Sequence, residues 1–251
     1  MIKTITSRKN EKVVHMKKLG SSRSYRRENG EFLCDGIKLL GEALQFGVEI
    51  TAIFTSEELQ FSIDDSIDVY MVPQSIIETI SPMKNPQTVL FSCKMRENKN
   101  AESDKRIMIL ENVQDPGNVG TVLRTANAFG IDKVILVGAC ADPYNPKTIR
   151  ATMGAIFRQT IEETDIDGIK ALRERGMKVY GAALSADSVD IGTISWDNTA
   201  VVIGSEGQGL TQEMMDACDG CVIIPMEPNS ESLNAAIAAS VFMWEMRKNK
   251  K

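Results

Sequence analysis

The second half of the chain alternates short apolar runs with segments of helical spacing. Runs such as "RIMILE" (106–111), "DKVILVG" (132–138) and "TAVVIGS" (199–205) are mostly aliphatic. The segment between the first two spaces its apolar residues as a helix does and ends at Gly130. Continuous apolar runs are typical of strands buried on both faces, and strand–helix alternation joins parallel strands. The sequence therefore predicts an α/β fold whose parallel sheet is covered by helices on both faces.

The first half predicts a smaller α/β domain, which extends to roughly residue 95. A short helix, "SEEL" at 56–59, is expected after one of its strands. Residues 96–106, "RENKNAESDKR", are dense in charge, and Ala101 is the only aliphatic residue among them, which is typical of a linker. The predicted division is a first domain at 1–98, a linker at 99–106 and a second domain at 107–251.

The composition is that of an ordinary globular protein, with 43% hydrophobic and 25% charged residues among 251. No apolar run approaches the length of about 18 residues that predicts a membrane-spanning helix. The first ten residues lack the apolar core of a secretory signal. Five cysteines, an odd number, favour a reducing compartment. We therefore expect a cytoplasmic protein without a membrane partner.

The chain has a net charge of −5, but its N-terminal segment is basic. Residues 1–27 contain nine basic side chains and one acidic side chain, Glu11, a net +8 that leaves −13 for the remaining residues. A local excess of this size can contact a polyanion such as RNA while the rest of the surface stays acidic. The same side chains can equally form the solvated outer face of an amphipathic helix. Charge alone leaves both interpretations open.

Three glycines follow directly on an apolar strand in "VVIGSEGQGL" at 201–210. Glycine lets a backbone approach a ligand closely, so this loop is a candidate ligand site. Its order of glycines differs from the dinucleotide fingerprint, and no Lys-Ser or Lys-Thr pair follows as in a P-loop. Glu206, inside the loop, would be unfavourable beside phosphates. The pattern favours a ligand that contains a nucleoside but no polyphosphate.

Two other junctions lead from a predicted strand into a helix. In "NVQDPGNVGTVLRTANAFG" at 112–130, a turn precedes Asn118, which can cap the helix that carries Arg124. In "IPMEPNSESLNAAIAAS" at 224–240, a proline-containing turn leads into a helix, and Asn234 is expected one turn within it. Strand ends that open onto helix N-termini are where ligands bind in α/β proteins.

Taken together, "DPGNVGTVLRTANAFG", "IGSEGQGL" and "IPMEPNSESLNAAIAAS" resemble, in order and spacing, the three motifs of the SpoU (TrmH-type) branch of the SPOUT RNA methyltransferases. The resemblance covers residues 107–247. Upstream, "FLCDGIKLLGEAL" at 32–44 is similar to the L30e-like RNA-binding domain that precedes the catalytic domain in many ribosomal RNA members. The resemblance implies a SPOUT domain with a deep trefoil knot, which no sequence pattern predicts. It also implies a homodimer with its active site near the subunit interface.

The resemblance implies a reaction as well. Family members transfer a methyl group from S-adenosylmethionine to a ribose 2′-hydroxyl of RNA. The likeness of the first domain to a ribosomal-protein fold favours ribosomal RNA, and transfer RNA is the nearest alternative. A non-catalytic RNA-binding or assembly factor is the alternative from another class, against which Arg124, Glu206 and Asn234 weigh. S-adenosylmethionine carries a sulfonium and no phosphate, which suits a glycine loop with a carboxylate and no lysine.

Motif matching assigns roles to individual residues. Cofactor contacts are expected from Gly204, Ile224 and Leu233. The polar active site is expected to comprise Arg124, Glu206, Ser232 and Asn234. RNA contacts are expected from Arg8, Lys9, Arg23, Arg26, Arg27 and Asn118. An arginine stays protonated, so we expect Arg124 to bind an RNA phosphate and the developing alkoxide, with phosphate or water as the proton acceptor.

The remaining features have structural interpretations. "CDGC" at 218–221 has the spacing C-x-x-C, but the other cysteines lack the spacing of two further zinc ligands, and no thioredoxin-like pattern precedes it. We therefore expect no metal, and we expect these cysteines to be packing residues. The methionines of "VFMWEM" at 241–246 are expected to pack in the core or in a dimer interface. His15, the only histidine, is expected to be an ordinary surface residue.

Overall fold

The computed structural model describes residues 2–96, 104–185, 187–227 and 231–248, which form two compact units. The first unit combines the described residues up to 96 with Asp142–Phe157, and the second contains the other described residues. Asp142–Phe157, the 142–157 segment, thus belongs to the second half of the sequence but packs in the first unit. The predicted linker falls largely on residues 99–103, which lie outside the described residues.

The regular elements follow one another along the chain as predicted for an α/β protein. The strands are β1 (Ile2–Thr4), β2 (Glu31–Asp35), β3 (Ile50–Thr55), β4 (Asp68–Met71), β5 (Val89–Lys94), β6 (Arg106–Glu111), β7 (Lys133–Val137), β8 (Thr160–Thr164), β9 (Lys178–Ala182), β10 (Val189–Asp190), β11 (Thr199–Ile203) and β12 (Gly220–Ile223). The helices are α1 (Glu11–Ser21), α2 (Arg23–Asn29), α3 (Ile37–Gln45), α4 (Gln74–Ile80), α5 (Pro116–Phe129), α6 (Pro146–Thr152), α7 (Ile166–Glu174), α8 (Gln212–Ala217) and α9 (Ala235–Lys248).

The first unit is built on a mixed five-stranded sheet in the order β1-β4-β3-β5-β2. β1, β4 and β3 run parallel, whereas β5 is antiparallel to both β3 and β2. Apolar side chains of α1 and α4 pack with those of the sheet, as Leu19, Ile77 and Leu33 do at no more than 1% exposure. The helix α1 continues through Gly20 and ends at Ser21.

The second unit is built on seven parallel strands in the order β10-β12-β9-β11-β6-β7-β8, which confirms the predicted parallel sheet. β7 and β11 are buried along their whole length. The chain builds outward from β6 through β7 to β8, and the later strands lie on the other side of β6. The strand order therefore reverses between β6 and β11. Ligands bind at the carboxyl ends of parallel strands at such a switch point.

Two helix starts differ from the prediction. Asp115, not Asn118, is the N-cap of α5, because its carboxylate accepts a hydrogen bond from the N–H of Asn118 at 2.8 Å. Asn234 lies before α9, not one turn within it. Its Oδ1 accepts from the N–H groups of Ala236 (3.0 Å) and Ile237 (3.3 Å), which is the geometry of an N-cap.

The shortest elements are where the sequence pattern was wrong or silent. Residues 56–59 form bends and irregular chain instead of the predicted helix. Five elements were not predicted, since segments of two to seven residues display little periodicity of their own: β1, β8, β10, α2 and α6. Tertiary contacts determine the conformation of such segments.

Candidate active site

The candidate active site lies at the carboxyl ends of the central strands of the second unit. β6 and β11 pair with each other up to Leu110 and Ile203, and each then opens into a loop. The loop after β6 begins with Asn112, a non-glycine residue with a φ of 56°. Its Oδ1 accepts a hydrogen bond from the N–H of Ala139 at 2.8 Å. This left-handed, side-chain-bonded residue sets the direction in which the loop leaves the sheet.

The loop after β11, residues 204–210, is called the glycine loop and folds back on itself. Ser205 and Gly209 exchange backbone hydrogen bonds of 3.2 and 2.9 Å. A Cβ at position 204 would collide with the carbonyl group of Gly209 and lie 2.6 Å from the nitrogen of Leu210. The loop's own backbone therefore requires glycine at 204, whereas the sequence pattern suggested close approach to a ligand. Glu206 stands at the exposed turn of this loop.

Three polar side chains, Asn118, Glu206 and Asn234, meet at this edge of the sheet and are called the polar cluster. Asn118 Nδ2 donates a short hydrogen bond to Glu206 Oε1. Asn234 Nδ2 lies 3.2 Å from Asn118 Oδ1 and 3.3 Å from Glu206 Oε1. Asn118 and Asn234 are 116 positions apart in the sequence, so it is the fold that places them in contact.

The backbone determines which way the amide of Asn234 points. Its oxygen accepts from two N–H groups at the start of α9, so its nitrogen faces Glu206 and Asn118. Glu206 Oε1 then receives both amide donors, and no described residue donates to Oε2. The cluster thus fixes one carboxylate oxygen and leaves the other available to a hydroxyl group.

A cavity of about 660 Å³ adjoins the polar cluster. The segments that follow β9, β11 and β12 form its walls together with the start of α9. The three residues predicted to contact the cofactor all line it, and so do Glu206 and Ser232. Aliphatic side chains dominate the walls, and the charged lining residues are the carboxylates Glu206 and Glu227. No lysine or arginine in the described part of the chain lines this cavity.

Leu184 and Glu227 also line the cavity, although neither was among the predicted site residues. Leu184 follows β9 at the rim of the cavity and is 88% exposed. Glu227 follows β12 and adds the second carboxylate. Leu184 lies in irregular chain outside the three motifs, whereas Glu227 lies within the 224–240 motif but had no role assigned to it.

Arg124 and Ser232 are the predicted polar residues that stand apart from the cluster. Arg124 is exposed on α5, and it bonds to none of the three cluster members. It lies six positions after Asn118, which is about 9 Å along the helix axis and about 120° around it. Ser232 lines the cavity without a hydrogen bond to the cluster. The structure therefore brings Asn118, Glu206 and Asn234 together and leaves Arg124 on a neighbouring face of α5.

The basic residues predicted to contact RNA divide into four exposed and one buried. The exposed ones are Arg8, Lys9, Arg23 and Arg27. Arg26 is 2% exposed, and its guanidinium donates to Asp142 at 3.1 and 2.5 Å and to the carbonyl oxygen of Leu19 at 2.7 Å. The prediction that Arg26 contacts RNA is therefore wrong, because its donors serve a buried ion pair inside the first unit. A charge count cannot tell which of two adjacent arginines faces the core.

His15 is not the ordinary surface residue that was expected. Its side chain is 28% exposed, Nδ1 lies 2.9 Å from the hydroxyl of Tyr25, and Nε2 lies 2.9 Å from Glu31 Oε2. Lys94 donates to the other oxygen of Glu31 at 2.7 Å. Burial raises the pKa of Glu31, but the hydrogen bonds from Lys94 and His15 outweigh it and hold that pKa below its usual value. This network ties α1 to the sheet of the first unit.

The cysteines and methionines have packing roles. All five cysteines are free, and Cys218 lies in the core of the second unit. Burial raises the pKa of its thiol to about 12, so it is a poor nucleophile at neutral pH. Met243 and Met246 are fully buried, which confirms that they pack in the core.

The described part of the chain contains neither a metal-binding group of side chains nor a membrane-spanning helix. No group of three or more His, Cys, Asp or Glu side chains in this part of the chain is placed to hold a metal ion. None of its helices combines the length and apolarity needed to cross a membrane.

Two protein-family models match the sequence. The SpoU rRNA methylase family matches residues 105–244, which include the polar cluster and the glycine loop. The MRM3-like substrate binding domain matches residues 10–90, which include most of the first unit. The order of the two matches agrees with the predicted order of the two domains.

Known proteins are similar to the chain over nearly its whole length. The 23S rRNA (guanosine(2553)-2′-O)-methyltransferase RlmP of Bacillus subtilis (strain 168) is 31% identical over 98% of this chain and 100% of its own length. An uncharacterized tRNA/rRNA methyltransferase, slr1673, of Synechocystis sp. is 30% identical over 98% of this chain and 94% of its own. The AdoMet-bound rRNA methyltransferase structure from Sinorhizobium meliloti has a TM-score of 0.87 at 31% identity and covers 100% of this chain and 99% of that one. By these matches, the chain belongs to the SpoU rRNA methylase family.

Proposed function

We propose that this protein transfers a methyl group from S-adenosylmethionine to a ribose 2′-hydroxyl of ribosomal RNA. The observation that carries the proposal is the convergence of Asn118, Glu206 and Asn234 beside a cavity of about 660 Å³. Membership of the family supplies the class of reaction. The geometry supplies a pocket for the cofactor and hydrogen-bonding groups for the ribose at its edge.

The chemistry of the cavity suits S-adenosylmethionine. Its aliphatic walls accept a nucleoside, and its two carboxylates, Glu206 and Glu227, favour a sulfonium cation over a polyphosphate. We assign the cofactor contacts to Gly204, Ile224 and Leu233, which line the cavity. When bound, the cofactor supplies an electrophilic methyl group on its sulfur.

The protein must orient and activate a weak nucleophile. A ribose 2′-hydroxyl loses its proton as the new C–O bond forms, so it needs both a fixed position and stabilisation of the growing negative charge. We assign the orientation of the ribose to Glu206 and Asn234, with Ser232 on the adjoining cavity wall. Asn118 holds Glu206 in place through its short hydrogen bond. An RNA phosphate or a water molecule accepts the proton.

We assign stabilisation of the charge to Arg124. Its guanidinium stays protonated and has a forked set of donors, so it can contact a phosphate and the 2′-oxygen together. Because Arg124 is exposed, it is accessible to an RNA strand. A cation placed beside the oxygen acts mainly in the transition state, where the oxygen has lost most of its proton.

The first unit is proposed to provide RNA affinity. Arg8, Lys9, Arg23 and Arg27 are exposed, and the last two lie within the match to the MRM3-like substrate binding domain. Arg26 is left out of this set because it is buried. Ribosomal RNA is preferred over transfer RNA because the relative from Bacillus subtilis is named for 23S rRNA.

We further propose the chain division 1–98, 99–106 and 107–251, with the 142–157 segment of the last part packed in the first unit. The match of the catalytic family from residue 105 onward supports the second boundary. We infer that the second unit contains the trefoil knot of its family. A crystal structure that traces the chain through the loops beside the cavity would test the knot directly.

We also infer a homodimer, supported by an apolar stripe on α9. Ile237 is 54% exposed and Trp244 is 49% exposed. They are seven residues apart, which places them on one face of the helix, with half-buried Val241 between them. Light scattering of the wild type and of Ile237→Glu tests this. A dimer that becomes a monomer in the variant supports the inference, and a wild-type monomer contradicts it.

A cytoplasmic location is proposed on two grounds. The five cysteines are all free, and ribosomal RNA is the proposed substrate. Fractionation of cells that produce the protein would test this location.

The function is tested by measuring cofactor binding and methyl transfer separately. Calorimetry with S-adenosylmethionine should show binding, and labelled methyl groups should reach 23S rRNA isolated from a strain without the gene. The guanosine that corresponds to the one in the name of the Bacillus relative is the first position to map. Transfer to transfer RNA alone would support the alternative substrate. Absence of cofactor binding would support a non-catalytic RNA-binding or assembly factor.

A further inference from the structure

Glu111 is a buried carboxylate to which the proposed reaction assigns no role. It is the last residue of β6, one position beyond the pairing of Leu110 with Ile203, and it is 3% exposed. Oε2 accepts from the N–H of Thr211 at 3.0 Å, and Oε1 accepts from the hydroxyl of Thr211 at 2.6 Å. A buried carboxylate is tolerated only where donors satisfy it. Both oxygens of Glu111 hold the same residue, 100 positions later in the chain.

Thr211 is the residue at which the glycine loop ends and α8 begins. Its hydroxyl donates to Glu111 and accepts from the N–H of Met214 at 3.1 Å, so it is the N-cap of α8. At the other end of the loop, β11 is held by its pairing with β6. β6 therefore holds the start of the loop through the strand ladder and the end of the loop through Glu111.

We propose that Glu111 is a positioning residue that sets the path of the glycine loop through Thr211. Gly204, Ser205, Glu206 and Gly209 of this loop all line the cavity. A loop that contains three glycines has many accessible conformations unless both of its ends are held. Holding the end at Thr211 therefore fixes one wall of the cavity and the place of Glu206 in the polar cluster.

The consequence for ligand binding depends on the fraction of molecules whose glycine loop has the conformation that binds the ligand. If the loop is released, that fraction falls, and the apparent dissociation constant of a ligand rises in inverse proportion. A displacement of about 1 Å at a reacting group costs up to about a hundredfold in rate. This part of the inference rests on the proposed function, whereas the effect on the loop itself does not.

The test uses the full-length protein, three single variants of the pair and one double variant. Glu111→Ala removes both acceptors, Thr211→Val removes the hydroxyl, and Thr211→Ser keeps it. Lys133→Met is the matched control, because Lys133 is also buried (5% exposed) and ion-paired but lies at the amino end of β7, away from the loop. Hydrogen exchange of the 204–211 peptide is measured without cofactor, and S-adenosylmethionine binding is measured by calorimetry.

We expect Glu111→Ala and Thr211→Val to speed exchange in the 204–211 peptide, and Thr211→Ser and Lys133→Met to leave it near the wild-type rate. Glu111→Ala should weaken S-adenosylmethionine binding by about tenfold to a hundredfold, as expected if only about 1–10% of the molecules keep the binding conformation of the loop. The double variant Glu111→Ala with Thr211→Val should be little worse than Glu111→Ala, since the two residues act as a unit.

The two possible failures give different results. If the wild type binds S-adenosylmethionine and Glu111→Ala changes neither loop exchange nor affinity beyond the Lys133→Met control, the positioning role is overturned. If exchange in the loop responds as expected but the wild type does not bind S-adenosylmethionine, the positioning role stands and the proposed function fails.

Discussion

The first unit contains a buried ion pair, whereas the second unit has a polar cluster at its surface beside an apolar cavity. In the first unit, Arg26 and Asp142 form an ion pair whose side chains are 3% and 7% exposed. In the second, Glu206 is exposed while it receives two amide donors from Asn118 and Asn234. Both sets are hydrogen-bonded, but only the second can exchange a partner for a ligand.

The difference distinguishes polar groups that stabilise the fold from polar groups that can bind a substrate. A buried charge must keep its partner, because removal of the partner leaves the charge desolvated and unpaired. An exposed carboxylate such as Glu206, whose second oxygen receives no hydrogen bond from the described residues, can accept a hydroxyl at little cost in desolvation. Variants of the buried ion pair should therefore change stability, and variants of the exposed polar cluster should change ligand binding or rate.

The largest effect is expected at the base of the glycine loop. Gly204→Ala should abolish measurable S-adenosylmethionine binding, because its Cβ would collide with Gly209 and lie 2.6 Å from the nitrogen of Leu210. Gly207→Ala is the matched control, since a Cβ there meets nothing within 4 Å. Calorimetry compares the two variants. Equal affinities in the two variants would show that the closed form of the loop is not the form that binds.

Two adjacent arginines test the distinction between buried and exposed charge. Arg26→Met should lower the free energy of unfolding by about 3–5 kcal/mol, because Asp142 is left buried without its partner. Arg27→Met should change stability by no more than about 1 kcal/mol, because Arg27 is exposed and its guanidinium contact with the Tyr144 ring, at 5.6 Å, is a surface cation–π pair. It should instead weaken RNA binding and reduce the slope of log affinity against log salt by about one.

Denaturant titrations and RNA binding at several salt concentrations measure these two effects. Loss of RNA affinity in Arg26→Met at unchanged stability would contradict the assignment of Arg26 to the interior.

Arg124 tests whether a residue apart from the polar cluster contributes to the reaction. Arg124→Ala should keep the fold and cofactor affinity but lower the single-turnover methylation rate by about 10²–10³, the cost of losing one preorganised donor. Arg124→Lys should recover little, because lysine cannot make a forked contact. Lys170→Ala, an exposed substitution on α7, is the control and should match the wild type. A wild-type rate in Arg124→Ala at saturating RNA and cofactor would make Arg124 an ordinary surface residue.

The smallest effect is expected in the His15–Glu31–Lys94 network. Hydrogen bonds hold the folded-state pKa of Glu31 below its usual value, although burial alone raises it. Its stabilising contribution is therefore present above the unfolded-state pKa of about 4.3 and is lost as pH falls through the lower folded-state value. Glu31→Gln should reduce the melting temperature by a few degrees at pH 7, as is typical of about 1 kcal/mol.

The difference between Glu31→Gln and the wild type should disappear in acid, and thermal melts across pH measure it. Glu78→Gln, an exposed substitution on α4, should show no such pH dependence. A difference that persists unchanged below the folded-state pKa would rule out the ionised carboxylate as its source.

The sequence predicted the elements that show their own periodicity and missed those that do not. β6, β7, β11 and α5 lie where apolar runs and helical spacing indicated. The start of α9 was wrong by three residues, because Ser232 and Leu233 suit a helix locally but precede it in the structure. Asn234 caps α9 instead, and this capping turns its amide nitrogen towards Glu206.

The sequence by itself determined the parallel sheet of the second unit, the glycine loop and the motif residues that line the cavity. These features are local, because a few consecutive residues are enough to indicate a strand buried on both faces or a position that requires glycine. Only the tertiary structure decided that Asn118 meets Asn234 across 116 positions, that Arg26 and not Arg27 is buried, and that the 142–157 segment packs in the first unit. Such pairings depend on contacts between segments that are distant in the sequence. A local pattern does not specify which distant segment a residue will contact.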